Sequence, residues 1–326
     1  MIVTQNREPL VSIIIPVYNG SKFMQEAIDS ALAQTYSNIE VIVVNDGSKD
    51  NGATERIALS YGKRIRYISK ENGGVSSALN KGIENMHGEY FSWLSHDDKY
   101  LPDKIKTQME VINRLEDKKT LAICGTKEIN VKSEDILSAK KGNAKWMEFD
   151  IGQNINWKIA LKDVIHNGSF SGCALLIPKA AFLVTGYFDE TLRYCQDFLM
   201  WIQMFLNEYS LVRTPGVHVC SRVHDGQLTQ TGKAVFHNDS ILMGNLLFEP
   251  LAEKSTKEYN FVKSFAIYNA IYNNPTVVDK FIEAGSRKGL LTAFDKLQIR
   301  GIELYGKVRP CIRKLYYRLV RNMKTQ

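Results

Sequence analysis

The apolar run "VSIIIPV" from Val11 is continuous rather than alternating, which predicts a strand buried on both faces. The period then changes. Phe23, Ala27, Ile28, Ala31 and Leu32 fall on one helical stripe. "IEVIVV" from Ile39 predicts a second buried strand, and "NDGSKDNG" is turn chemistry. A short helix to Tyr61, a strand at "RIRYIS", a turn at "ENGG" and a helix from about Val75 to Met86 follow. "YFSWLS" is a fourth strand. Pro102 opens a helix with Ile105, Met109 and Ile112 inward, and "LAICGT" from Leu121 is a further strand.

Strands alternating with helices predict an α/β fold with a mostly parallel sheet. Such sheets bind ligands outside the carboxyl ends of their strands. Those ends deliver Pro16, Val17 and Tyr18, then Asn45 and Asp46, then Ser69 to Asn72, then Ser95 to Asp98.

The second half is less regular. Polar, loop-rich sequence runs from about Asn130 to Asn167, with one helical stretch near Trp157. "CALLIP" from Cys173 is a strand, and "QDFLMWIQMFL" from Gln196 is an amphipathic helix with an acid at its start. "SLVRTPGVHVCSRVHDGQLT" reads as extended segments ending in a loop. From Phe236 the pattern is helical to the end. The expected organisation is a domain over 1–230 and a helical region over 231–326.

Composition narrows the class. Hydrophobic content of 44% and charged content of 24% are those of a soluble globular protein, and no apolar run reaches a membrane span. The N-terminus carries no secretory pattern, and the five cysteines form no C-x-x-C pair, so a reducing cytoplasm is expected. The net charge of +7 is concentrated in residues 307–326, which hold seven bases and no acid. The remainder is neutral, which argues against a nucleic-acid partner.

The stretch "FSWLSHDDKYLP" ends an apolar run on two adjacent carboxylates, Asp97 and Asp98, with Pro102 four residues on. One reading is a helix cap before Pro. The other is a site for a divalent cation and a phosphate, since hard cations take carboxylates and phosphate oxygens. The first strand is not followed by a dinucleotide or P-loop glycine motif. The chain offers instead Asp46, Asp97–Asp98, Asp197 and, much later, His224. A nucleotide-activated group, its metal and an acceptor alcohol would use all of them.

Five segments carry a resemblance. "VSIIIPVYNGSKFMQEAIDSALAQTYSNIEVIVVNDGSKD", "SKENGGVSSALNKGI", "WLSHDDKYLPDKI", "GYFDETLRYCQDFLMWIQM" and "SRVHDGQLT" resemble, in order, the motifs of family 2 glycosyltransferases of the GT-A fold. The likeness runs from about Pro9 to Thr229. It implies a Rossmann-like, mostly parallel sheet flanked by helices, with a helical C-terminal extension. It implies that Pro16, Val17 and Tyr18 line the base and ribose, and that Asp46 accepts a hydrogen bond from uracil. Asn72 joins this nucleotide set, and Asp97 holds the nucleotide. Asp98 binds Mn²⁺ or Mg²⁺ bridging the phosphates, Asp197 is the general base, and His224 faces the diphosphate and metal. His96, Ser171 in "HNGSFSG" and Gln196 are candidate sugar or acceptor contacts. The implied reaction is inverting transfer from a nucleotide sugar, UDP-linked by expectation, to a glycan or lipid-linked saccharide in surface-polysaccharide synthesis.

Three positions depart from the family pattern. Gln196 stands where an acid often precedes the base, Ser95 where an Asp is frequent, and Leu79 where an Arg is frequent. Two other readings stay open: a sugar nucleotidyltransferase, and a non-catalytic sugar-nucleotide-binding partner. Finally, Ile312, Leu315, Tyr316, Leu319, Val320 and Met323 form one helical stripe among basic residues. A basic amphipathic tail of this kind can lie on an anionic membrane, so peripheral contact through 307–326 at the inner face of the cell membrane is expected.

Overall fold

The computed structural model describes residues 8–136, 150–227, 233–305 and 307. Two compact units divide the chain, Met1–Lys233 and Ala234–Gln326.

In the first unit β1 (Val11–Val17), β2 (Ile39–Asp46), β3 (Arg66–Lys70) and β4 (Tyr90–Trp93) lie parallel in the order β3-β2-β1-β4. Helices α1 (Met24–Leu32), α2 (Ala53–Ser60) and α3 (Val75–Asn85) make the connections. All seven residues of β1 are buried, as its unbroken apolar run requires. Packing of α3 on β1 is close. A Cβ at Gly82 would lie 2.4 Å from Ile14 Cγ2, so only glycine allows this approach.

The rest of the sheet is mixed. Its strands are β5 (Lys99–Tyr100), β6 (Thr120–Ile129), β7 (Asn154–Ile155), β8 (Leu175–Pro178) and β9 (Ser210–Arg222). The strand from Leu121 does not sit beside β4. Antiparallel β8 is inserted between them, and β6 then pairs in parallel with β9. The segment read as several extended pieces is one 13-residue strand, β9, which also pairs with β5 and β7. Helices α4 (Lys104–Arg114), α5 (Trp157–Asn167), α6 (Ala180–Thr185) and α7 (Gln196–Leu206) flank it. Lys104 of α4 is wholly buried. It donates to Ser92 Oγ at 2.8 Å and to the Leu175 carbonyl at 3.2 Å, over the Tyr100 ring. Burial lowers its pKa to about 8.

The second unit contains α8 (Lys233–Lys254), α9 (Phe261–Ile271), α10 (Pro275–Arg287) and a helix over 293–305. Phe248, Phe265 and Phe281 cluster in it, with Phe281 about 5 Å from each partner, edge-on to Phe248 and tilted against Phe265. Apart from Lys307, the basic tail lies outside the described residues.

Candidate active site

Because β1 to β4 are parallel neighbours, their carboxyl ends share one edge, and each opens into a loop there. The loops are stitched together. Asn19 N–H donates to Ser48 Oγ, Lys49 N–H to Asn19 Oδ1, and Gly20 N–H to Thr54 Oγ1. Pro16 and Val17 are buried at the end of β1, while Tyr18 is 42% exposed beside them.

Asp46 ends β2 and is buried. Its carboxylate accepts from Lys70 Nζ at 2.8 Å, Asn72 Nδ2 at 3.1 Å, Gly73 N at 2.9 Å and Gly74 N at 2.7 Å. Asn72 also donates to the Asp46 carbonyl at 2.8 Å. Four donors match the lone-pair capacity of a carboxylate. Asp46 therefore fixes the "ENGG" turn that leads into α3. Gly47, with φ of +68°, lets the Asn72 backbone come within 2.6 Å of where its Cβ would be.

Residues 95–98 form a tight turn after β4, closed by Asp98 N–H to the Ser95 carbonyl at 3.1 Å. The α4 helix starts later, with Asp103 at its N-cap, so neither aspartate caps it. Asp98 points inward. Its Oδ1 accepts the Arg222 backbone N–H at 2.8 Å, and its Oδ2 lies 3.5 Å from Cys173 Sγ. Burial, and then the charge of Asp97, push its carboxyl upward. Asp97 faces the other way, with Oδ2 3.0 Å from His224 Nε2. His96 packs against Gly20 and bonds the Pro16 backbone, and burial lowers its pKa.

The pairing of β5 with β9 brings these distant segments together. Arg222, at the last position of β9, is wholly buried. Its Nε donates to the Asp97 carbonyl at 2.8 Å, its Nη1 to the Asn130 carbonyl and Ser133 Oγ, and its Nη2 to Glu26 Oε2 at 3.1 Å. The guanidinium lies over the Phe23 ring at 4.6 Å, and the tilted His224 ring stands 5.2 Å from the same ring between centroids. Sequence reading singled out His224 and passed over Arg222, two residues earlier in the same motif.

Asp197 is the second residue of α7 and is half-buried. Burial pushes its carboxyl up to about 6, against hydrogen bonds from Ser169 Oγ at 2.9 Å and the Phe198 N–H at 2.6 Å. The segment "HNGSFSG" meets Asp197 through Ser169. Ser171 is exposed and gives its carbonyl to Ala174 N–H. Gln196 is buried, and its Oε1 has no hydrogen-bond partner among the described residues.

Residues 12–170 match the profile of glycosyl transferase family 2. An uncharacterised glycosyltransferase of Rickettsia typhi is 52% identical over 223 residues, spanning 68% of this chain and 67% of that protein. The chain belongs to glycosyl transferase family 2. A hyaluronan synthase of Pasteurella multocida is 42% identical over 146 residues, which is 44% of this glycosyltransferase but only 14% of the synthase. Among solved structures, Staphylococcus aureus TarS 1–349 in complex with UDP-GlcNAc covers 94% of this chain. In turn, 92% of that structure is matched, at a TM-score of 0.68 and 17% identity, so the likeness is one of fold.

The donor set of the glycosyltransferase fits a hard divalent cation. Asp97 and Asp98 crowd two carboxylates into a desolvated turn, and the imidazole of His224 abuts one of them. Among the described residues no three His, Cys, Asp or Glu side chains gather as a closed metal site. That suits a cation that takes one or two protein ligands and completes its shell with phosphate oxygens.

Proposed function

We propose that this glycosyltransferase moves a sugar from a UDP-linked donor to a hydroxyl of a saccharide or lipid-linked acceptor, with inversion and with Mn²⁺ or Mg²⁺. The observation that carries this reading is the 3.0 Å contact between Asp97 and His224, which stand 127 positions apart and meet at the carboxyl edge of the parallel strands. UDP-GlcNAc bound to TarS and the hyaluronan synthase relative support a UDP-sugar donor.

The base and ribose would rest against Pro16, Val17 and Tyr18. Asp46 and Asn72 shape the turn beneath them, and the base would exchange one of Asp46's present donors for its own. Asp98 and His224 would hold the cation, which when bound neutralises the diphosphate, and Asp97 would hold the nucleotide. His224 would stand at the diphosphate, where negative charge develops on the leaving group. Asp197 accepts the acceptor hydroxyl's proton as its oxygen attacks the anomeric carbon from the opposite face. An α-linked donor then gives a β-glycoside. His96, Ser171 and Gln196 are the candidate sugar or acceptor contacts.

Surface-polysaccharide synthesis at the cytoplasmic face of the membrane is the setting we infer, with the basic tail holding the enzyme on anionic lipid. Among the described residues no helix is long and apolar enough to cross a membrane. The test is a thermal-shift panel of UDP-, GDP- and CDP-sugars with Mn²⁺, followed by product analysis. A UDP-sugar should stabilise the protein, EDTA should abolish the shift, and turnover should release UDP. Release of pyrophosphate, or stabilisation by no sugar nucleotide, would overturn the reading.

A further inference from the structure

The loop between α5 and the following strand is clamped to one face of α7. Asp197, Trp201 and Phe205 stand four residues apart on that helix and so share a face. Each meets the loop. Ser169 Oγ lies 2.9 Å from Asp197 Oδ2, Trp201 Nε1 donates to the Phe170 carbonyl at 3.2 Å, and Phe170 packs edge-on to Phe205 at 6.3 Å. Phe170 and Trp201 are both buried, so the anchor is apolar and fixed. Gly168, with φ of +88°, ends α5 just before this dipeptide and turns it toward α7.

Ser169 Oγ also lies 3.1 Å from the Phe170 carbonyl. One hydroxyl proton thus has two acceptors, and an ionised carboxylate is the stronger. Among the described residues, the stabilising partners of Asp197 are the Ser169 hydroxyl and backbone N–H groups of its own turn. Tyr194, the titratable neighbour on the approach to α7, is itself held up by burial. Gln196 beside it is neutral.

We propose that Ser169 is a positioning residue for the transfer reaction, orienting the Asp197 carboxylate and stabilising its charge at the half-buried start of α7. The proposal rests on the reading of Asp197 as the base. Phe170 holds the serine in place, and the second oxygen of Asp197, set by the Phe198 N–H, keeps a lone pair for the acceptor proton. A bond that favours the charged form lowers a pKa, so losing it raises the pKa and leaves less base ionised at neutral pH.

The test compares Ser169→Ala with Ser169→Thr in the full chain. UDP release from the best UDP-sugar, with water as acceptor, gives the pH–rate profile. Carboxyl ¹³C NMR of labelled aspartate, with Asp197 assigned through Asp197→Asn, gives its titration without turnover. In Ser169→Ala the acid limb and the NMR titration should both move up by roughly one pH unit, with the rate about twofold lower at pH 7, about tenfold lower at pH 5, and the donor KM unchanged. Ser169→Thr, which keeps the hydroxyl, should restore both. An unmoved NMR titration overturns the proposal, as does a rate loss that Thr fails to rescue. A moved titration with an unmoved rate profile, together with an active Asp197→Asn enzyme, would instead remove Asp197 as the base.

Discussion

The backbone N–H of Arg222 donates to Asp98 Oδ1 at 2.8 Å, while the side chain of the same arginine holds the Asp97 carbonyl. One buried residue thus sets both halves of the acidic turn. Glu26 is its carboxylate partner among the described residues and is itself largely exposed. Glu26→Gln should therefore destabilise the protein far more than a surface change does, by about 1–3 kcal/mol, because it strips a buried guanidinium of charge compensation. Chemical denaturation would register this, and a change within ±0.5 kcal/mol would show that the arginine's carbonyl partners suffice.

Asp197→Asn should lower transfer by about 10² to 10⁴ while leaving donor affinity nearly unchanged. Retention of more than a tenth of the rate would show that another group takes the proton. In the parent enzyme, activity should fall as pH drops through about 6, where the buried carboxyl protonates. Stability runs the other way. The folded pKa lies above the unfolded value, so folding is penalised above pH 6 and relieved as pH falls from about 6 toward 4. Asp197→Asn should melt higher than the parent at pH 7.5, with the difference closing at pH 4.5.

Asp98→Ala should weaken Mn²⁺-dependent UDP binding. Calorimetry with and without the metal should find the parent's metal enhancement gone in the variant. Equal enhancement in both proteins would leave Asp98 as a structural anchor of Arg222 and Cys173.

Asp46→Ala removes the acceptor of four hydrogen bonds and should cost about 2–4 kcal/mol of stability through the unpaired donors of the 70–74 turn. It should also reduce discrimination between UDP and ADP in competition binding. Lost stability with intact discrimination would make Asp46 a turn residue alone.

The basic tail should bring the enzyme down with anionic vesicles at low salt, each Lys or Arg contributing about 1 kcal/mol near the surface. Ending the chain at Gly306 should abolish co-sedimentation and spare UDP binding. Equal sedimentation of both chains would rule out the tail as the membrane contact.

What the sequence by itself determined were the elements whose signal is local. The run at Val11, the stripe of α1, the turn residues of "NDGS" and "ENGG", and α7 starting at Gln196 were legible because strand burial, helical period and glycine turns are written in neighbouring residues. Four parallel strands implied a common edge, and so the company of Asp46, Asp97 and Asp98. Tertiary structure alone decided the contacts between distant segments. The insertion of β8 between β4 and β6, the long β9 and its pairing with β5 carry no local signature, yet they bring His224 to Asp97. Arg222 and Lys104 read as surface charges in a one-dimensional pattern. They are buried because the fold surrounds each with carbonyls, hydroxyls and an aromatic face, a compensation that no short window of sequence contains. Which serine of "HNGSFSG" meets Asp197 was decided in the same way: Phe170 and Trp201 set Ser169 against α7, and they do so across 31 residues.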